Sequence, residues 1–306
     1  MEQNINKPTT KLIKPKNPFI AFGLSVMLPG LGQIYNRQPK KALICWGFLL
    51  LFLFLFNITR GITSFYGLIS LLLIEILLGL YMIIDGVKNA KRHKTYVLKK
   101  RNRYFFIVIA ITLGIITNST LYGFSIILVG ARSFVVPTAS NNPTFQIGDC
   151  FIVDTKAYKK REPNYGEIVV FTKPDGQIYT YRVVGKPNDK LELVDNIITI
   201  NGKPSTAKFI KETIFDVFPV KEFEEELPNG YKHFIYKFKQ PFDSTKINIK
   251  DIVVPPDSYY LLGDNRDLAH DSRYEGFIHK EKIIGQAIYT YLGQTVDRIN
   301  IDFRNK

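Results

Sequence analysis

Cysteine and histidine are scarce in this sequence. Its 306 residues include two cysteines, Cys45 and Cys150, and four histidines. A disulfide framework needs several paired cysteines, and a structural zinc site needs clustered Cys and His ligands. Cys45 lies in an apolar run and Cys150 in the later, mixed part of the chain, so we expect no disulfide between them. The sequence therefore implies no metal and no other cofactor.

Acidic residues are nearly missing from the first 130 positions. This part holds 16 of the 41 Lys and Arg residues, but its only acids are Glu2, Glu75 and Asp85. The formal net charge of +14 therefore lies almost entirely here. A nucleic-acid-binding protein places its basic excess on the folded domain that contacts phosphate. Here the basic residues flank apolar segments, as membrane topology requires. The charge pattern predicts a lipid bilayer as a partner and argues against nucleic acid.

Three apolar segments are candidates for transmembrane helices, each of which needs roughly 20 apolar residues. They are residues 42–58, 65–84 and 105–129. Within residues 1–41, basic residues flank both ends of an apolar stretch that Pro29-Gly30 interrupts. We therefore predict a cytoplasmic N-terminus with a re-entrant or interfacial hairpin, and a bent pair of short spans is the alternative.

The basic segment 88–104 sets the expected topology. Basic loops stay in the cytoplasm, so this loop should be cytoplasmic between the second and third spans. The protein is then multi-pass, and residues 130–306 lie on the extracytoplasmic face of the membrane.

Sustained helical periodicity is missing after residue 130, which argues against a parallel βαβ organisation. Short β-like runs separated by turn residues take its place. They cover residues 151–155, 168–172, 179–184, 191–194, 197–200, 233–238, 252–254, 259–262 and 283–292. The Asp195-Asn196 pair predicts a hairpin turn. We predict a mainly antiparallel β domain over residues 130–306, with a less regular insert at about 202–250.

Small hydroxyl residues are concentrated directly after the third predicted span, where residues 137–140 read Pro-Thr-Ala-Ser. A serine needs a base and an oxyanion site before it can attack an amide. A tight turn can supply backbone N–H groups, and Thr138 can supply a hydroxyl donor. Ser and Thr beside prolines are usually plain loop residues, so this segment alone is weak evidence for a nucleophile.

Three later segments strengthen that evidence: YGEIVVF at 165–171, YRVVGKPND at 181–189 and GDNRDLAHDSR at 263–273. In this order and spacing, after a membrane span, they resemble the conserved segments of type I signal peptidases, the S26 family of serine peptidases. The resemblance runs from about residue 132 to 292. The N-terminal PGLGQIYN segment lies outside it.

The resemblance implies a β domain of signal-peptidase type that sits on the outer surface of the cytoplasmic (inner) membrane. It implies a membrane-bound serine endopeptidase that removes signal peptides from exported preproteins. Ser140 matches the nucleophile, and Thr138 matches the hydroxyl residue that helps to form the oxyanion hole. The positions expected to support the active site are Arg182, Asp264, Asn265, Arg266, Asp271 and Arg273.

Two positions depart from the family pattern. Tyr181 occupies the place of the lysine base, and Ala269 that of the residue that orients this lysine. His270 could serve as the base, although its ring could equally face solvent. Tyr181 could serve only if its pKa were strongly lowered. Lys173 or Lys186 could reach in from a neighbouring loop. The remaining alternative is a catalytically inactive homologue that binds or regulates signal peptides.

Overall fold

The computed structural model describes residues 16–92, 112, 129–173, 175–240 and 248–304. The chain divides into two compact units, Met1–Val129 and Gly130–Lys306. The helices of the first unit are α1 (Pro18–Met27), α2 (Leu31–Tyr35), α3 (Pro39–Ile58) and α4 (Phe65–Arg92), with a 3-10 turn at Gly61–Thr63.

Helices α3 and α4 are long and apolar enough to cross a membrane, by length and composition. Their mean hydropathies are 2.1 and 2.5 over the most apolar 18 residues. Helix α4 continues eight residues beyond the predicted end of the second span, because Asp85–Arg92 stays helical after the apolar part ends. The third predicted span, 105–129, and most of the predicted basic loop lie outside the described residues.

The PGLGQIYN segment, residues 29–36, forms the break between α1 and α2 and the whole of α2. Gly30 has a φ of 104°, which favours glycine, and the indole N–H of Trp46 donates to Pro29 O at 3.0 Å. Gln33 Nε2 donates to Met82 O at 2.6 Å and Asn36 Nδ2 to Gly86 O at 2.6 Å. The segment therefore fastens a helix break to α4 through buried amide side chains.

The second unit is built from antiparallel strands, which confirms the predicted fold class. Its strands are β1 (Ala131–Val135), β2 (Cys150–Asp154), β3 (Ile168–Thr172), β4 (Ile178–Gly185), β5 (Lys190–Val194), β6 (Ile197–Ile200), β7 (Lys203–Pro204), β8 (Thr206–Phe215), β9 (Phe218–Glu226), β10 (Lys232–Phe238), β11 (Ile249–Val253), β12 (Ser258–Leu262), β13 (Ile278–His279) and β14 (Ile283–Leu292). One short helix, α5 (Ser272–Glu275), follows β12, and 3-10 turns lie at Ala157–Lys159, Lys280–Lys282 and Val296–Arg298.

These strands form three sheets. The largest has seven strands in the order β1-β2-β14-β3-β4-β12-β13, so β1 lies at its edge. A four-stranded sheet has the order β11-β5-β6-β7, and a three-stranded sheet the order β10-β9-β8. Strand β3 is central and is buried on both faces: Ile168 and Val170 pack in one core cluster, Val169 and Phe171 in another. This burial explains its unbroken apolar sequence.

The region expected to be a less regular insert is largely β structure. Strands β8 and β9 form a long hairpin, and β10 pairs with β9. Most β8 side chains are exposed or half-buried, and Lys and Glu residues interrupt the apolar ones. Because neither face of β8 is fully buried, the sequence carries no clean alternation of apolar and polar residues. Strand β1 was not predicted either. It is a largely exposed edge strand, so its sequence also lacks a clear alternation of apolar and polar residues.

Candidate active site

Ser140 lies in the turn that follows edge strand β1, and its side chain is half-buried. Its Oγ lies 3.3 Å from Thr138 Oγ1. Asn265 holds the turn from the opposite side: its backbone N–H donates to Ser140 O at 3.1 Å, and its side-chain amide donates to Ala139 O at 3.3 Å. Asn141 Nδ2 donates to Thr180 O on β4. The turn is thus fixed between β4 and the segment that follows β12.

Tyr181 is the residue of β4 that meets Ser140. Its side chain is buried and lines the same cleft as Ser140, and its O–H donates to His270 O at 3.1 Å. A Cβ at Gly263 would collide with Ala269 Cβ and Ser140 O and would press on the Tyr181 ring. The absence of a side chain at Gly263 therefore lets these three groups converge.

The chemistry of Tyr181 in this position is that of a neutral phenol. Burial raises its pKa well above the ordinary value, and the charge of Asp271 raises it further, while the contact with Ser140 lowers it in part. A phenolate base would need the opposite shift. Tyr181 can still pass a proton on, because a phenol both donates and accepts a hydrogen bond.

The structure does not bring the His270 side chain to Ser140. The ring is 62% exposed, and its Nδ1 lies 2.8 Å from Glu275 Oε1. It also stacks on Tyr274 with 4.6 Å between ring centroids. Only the backbone carbonyl of His270 faces Tyr181. Of the two interpretations of this histidine, the geometry favours the solvent-facing ring.

The two lysines considered as replacement bases lie in different surroundings. Lys186 Nζ lies over the Tyr165 ring, 4.7 Å from its centroid. Lys173 follows β3 and is buried, and its Nζ donates to His270 O at 3.3 Å. In the part of the chain that the structure describes, no Lys, Arg or His side chain hydrogen-bonds to Ser140 itself.

Two buried ion pairs support the site. Arg182 Nε and Nη2 donate to both carboxylate oxygens of Asp264, at 2.8 and 2.6 Å. Arg273 bonds both oxygens of Asp271 at 2.8 and 2.9 Å, and Asp271 Oδ2 accepts from Gly263 N at 2.9 Å. The second pair thereby fixes the backbone of Gly263, beside which Ser140 O and the Tyr181 ring lie.

The pKa of Asp264 reflects the strength of its interaction with Arg182. Burial alone would raise its pKa, but the attraction of Arg182 and the hydrogen bonds from Arg182 and Thr144 outweigh burial and hold this pKa below its ordinary value. A third pair, Arg266 with Glu225, is also buried, and it connects the GDNRD segment to β9. All six predicted support positions are buried, and five of them take part in an ion pair.

A cleft of about 150 Å³ opens at Ser140. Residues 134–138 of β1 and the turn after it form one side, and residues 177–181 of β4 and the turn before it form the other. Because β1 is the edge of its sheet, the backbone on its outer side can pair with an extended peptide.

Comparison with known proteins identifies the family. The family described as "Signal peptidase, peptidase S26" matches residues 103–292, more than half of the chain. The chain belongs to this family. Among curated relatives, a probable signal peptidase I-2 from Synechocystis is 29% identical over 178 residues, which is 54% of this chain and 67% of that protein. Signal peptidase I from Rickettsia typhi is 36% identical over 147 residues, 44% of this chain and 54% of that protein.

The chain thus spans only about half the length of the Rickettsia signal peptidases. Among solved structures, a signal peptidase I from Enterococcus faecalis covers 41% of this chain and 97% of its own at 23% identity, with a TM-score of 0.25. A score of this size carries neither fold nor function from that structure to this chain.

Two contacts around this site had no signal in the sequence. The side chain of Asn141 binds β4, and a buried ion pair of Arg298 with Asp149 holds the end of the Ser140 loop. Arg298 also donates to Thr144 O at 2.7 Å. Arg298 lies beyond the segments that carry the resemblance, so only the folded chain reveals its role.

Proposed function

We propose that this chain is a membrane-bound serine endopeptidase that removes signal peptides from exported preproteins. The observation that carries the proposal is the position of Ser140. It lies beside Thr138 in a turn that Asn265 and Asn141 fix, at one end of a cleft bordered by an edge strand. Membership of the signal peptidase family supplies the reaction class.

In this proposal the substrate lies as an extended strand along the outer side of β1. Backbone pairing of this kind binds many unrelated sequences, because it does not depend on side chains. Ser140 Oγ attacks the scissile carbonyl carbon to form a tetrahedral intermediate. Backbone N–H groups of the turn and the Thr138 hydroxyl stabilise the oxyanion. Collapse breaks the C–N bond, and water then hydrolyses the acyl ester.

The membrane part of the proposal rests on the first unit. Helices α3 and α4 hold the chain in the bilayer, and residues 105–129 add a third crossing that places residues 130–306 on the extracytoplasmic face of the cytoplasmic membrane. The basic block at 88–103, compared with the single basic residue Arg60 in the loop 59–64, supports this orientation. A peptidase held in this way meets substrates that are themselves inserted in the membrane.

The test is cleavage of a preprotein by the purified full chain in lipid vesicles, with the product mapped by N-terminal sequencing. The expected result is one new N-terminus at the junction between the signal peptide and the mature protein. Binding of the preprotein without cleavage across a wide pH range would contradict the proposal and favour the inactive homologue.

A further inference from the structure

We propose that Lys173, acting through Tyr181, accepts the proton of Ser140 and so replaces the amine that other family members carry at the position of Tyr181. This inference rests on the proposed function. Because Lys173 reaches Ser140 only through Tyr181, it is a positioning residue for the nucleophile and does not touch the reacting atoms.

The geometry begins with the pairing of β3 and β4. Val169 pairs with Tyr181 and Phe171 with Tyr179, so these four side chains share one face of the sheet. Lys173 continues the same alternation beyond the end of β3. Its side chain is only 6% exposed and extends back over Tyr179, with Nζ 3.8 Å from the ring centroid. The amine is therefore directed along the buried face toward Tyr181.

The His270 carbonyl oxygen joins the two residues. It accepts from Tyr181 Oη at 3.1 Å and from Lys173 Nζ at 3.3 Å. Both donors thus lie around a single acceptor atom, and Tyr181 lines the same cleft as Ser140. In the proposed path, rotation of the phenol O–H about its C–O bond turns its proton from the carbonyl toward the amine. The path then runs from Ser140 Oγ through Tyr181 Oη to Lys173 Nζ.

The proton balance of the reaction follows this path. As Ser140 Oγ bonds to the scissile carbon, its proton moves to Tyr181 Oη, and the phenol proton moves to neutral Lys173 Nζ. When the C–N bond breaks, the proton returns along the same path to the leaving amine. Hydrolysis of the acyl ester repeats the cycle with water. Tyr181 never has to persist as a phenolate, which its buried position disfavours.

Glu275 faces the amine of Lys173 and holds it beside the His270 carbonyl. Glu275 Oε1 lies 3.2 Å from Lys173 Nζ and 2.8 Å from His270 Nδ1. Glu275 therefore positions the amine at the end of the proposed path.

The experiment measures preprotein cleavage by the full chain over a range of pH values. Lys173→Met and Tyr181→Phe should each lower kcat/KM by about 10²–10⁴-fold, the usual contribution of general acid–base catalysis. Lys173→Arg should lose as much, because a guanidinium keeps the charge but does not give up its proton. The matched control is Lys186→Met, a lysine that packs on Tyr165 away from this path. It should keep the wild-type profile.

A second set of variants separates proton transfer from a purely structural role. Tyr181→Lys with Ala269→Ser returns the amine and its support to the family positions. In that background Lys173→Met should lower kcat/KM far less than in the wild-type chain. Thermal unfolding of each variant checks that the chain still folds.

The outcomes are distinct. If the wild-type chain does not cleave, the proposed function fails. If the wild-type chain cleaves and Lys173→Arg retains full activity, only this inference fails. A positive charge and hydrogen bonds at position 173 would then be enough for cleavage, without proton transfer to an amine. An equal loss from Lys173→Met in both backgrounds would also overturn it.

Discussion

Removal of the Arg182 side chain has an effect on the stability of the folded domain that can be calculated. Arg182 and Asp264 are 2% and 1% exposed, and two short hydrogen bonds join them. Arg182 also donates to Gly166 O at 2.6 Å. In Arg182→Met the Asp264 carboxylate stays buried without its cation. Breaking a buried pair in this way typically costs about 3–5 kcal/mol, a large share of the ~5–15 kcal/mol by which a domain is stable.

The assay is urea unfolding of the full chain in detergent, followed by circular dichroism and compared by midpoint at constant slope. The control is Lys280→Met, which breaks the exposed pair with Asp257 and should leave the midpoint unchanged. A loss below about 1 kcal/mol in Arg182→Met, the range of an exposed pair, would refute the reasoning that this pair is desolvated.

The loss of stability in Arg182→Met should also depend on pH. In the wild-type chain the pKa of Asp264 is lowered, so its contribution to stability is present above the ordinary carboxylate pKa of about 3.9 and is lost as pH falls through the folded value. Without Arg182, only the smaller effects of His233 and Thr144 oppose burial, so we expect this pKa to rise. The deficit of Arg182→Met should therefore shrink between pH 7 and pH 5, where the variant can bury a protonated acid. A deficit that grows at pH 5 would contradict this explanation.

Three further variants test the active site through kcat/KM of preprotein cleavage and are compared at equal folded fraction. Thr138→Val should lower kcat by about 10²-fold as one oxyanion donor is lost, and Thr138→Ser should restore it; equal activity of both would remove Thr138 from the oxyanion site. Asn265→Ala should lower kcat more than it raises KM, because its side chain holds the Ser140 turn; a change in KM alone would contradict that role. His270→Asn should cost far less than the 10²-fold expected of a general base, since its ring faces solvent; a larger loss would return His270 to the list of bases.

The antiparallel fold was predictable because most of its strands are half-buried or fully buried. The runs at 168–172, 197–200 and 283–292 coincide with β3, β6 and β14, whose apolar residues face the core. The Asp195-Asn196 turn was predictable for a different reason. Both residues have positive φ values, 50° and 61°, as the turn of a two-residue hairpin requires. At these positions the residue types favoured the same local structure that burial in the folded chain requires.

The strands that escaped prediction are the ones with weak burial. In β8 only partial burial and many charges accompany the pairing with β9. Pairing across a hairpin satisfies backbone groups without leaving an apolar pattern in the sequence. A strand held mainly in this way has no distinctive periodicity.

The active site was predictable as a set of positions but not as a set of contacts. Ordered segments pointed to Ser140, Thr138 and Tyr181, and the structure places all three at one cleft. The proximity of Lys173 to the His270 carbonyl depends on the β3–β4 register and on the path of the chain before α5. Neither can be derived from residue spacing, so the sequence could not distinguish Lys173 from Lys186 as a replacement base.

Cleavage of a preprotein by the wild-type chain and by Ser140→Ala, in the same lipid vesicles, tests the central claim most directly. Thr206→Ala is the matched control, because it removes an exposed hydroxyl of β8, which does not line the cleft. The account predicts cleavage at the signal-peptide junction by the wild-type chain and by Thr206→Ala, and none by Ser140→Ala. Cleavage that persists in Ser140→Ala would show that Ser140 is not the nucleophile.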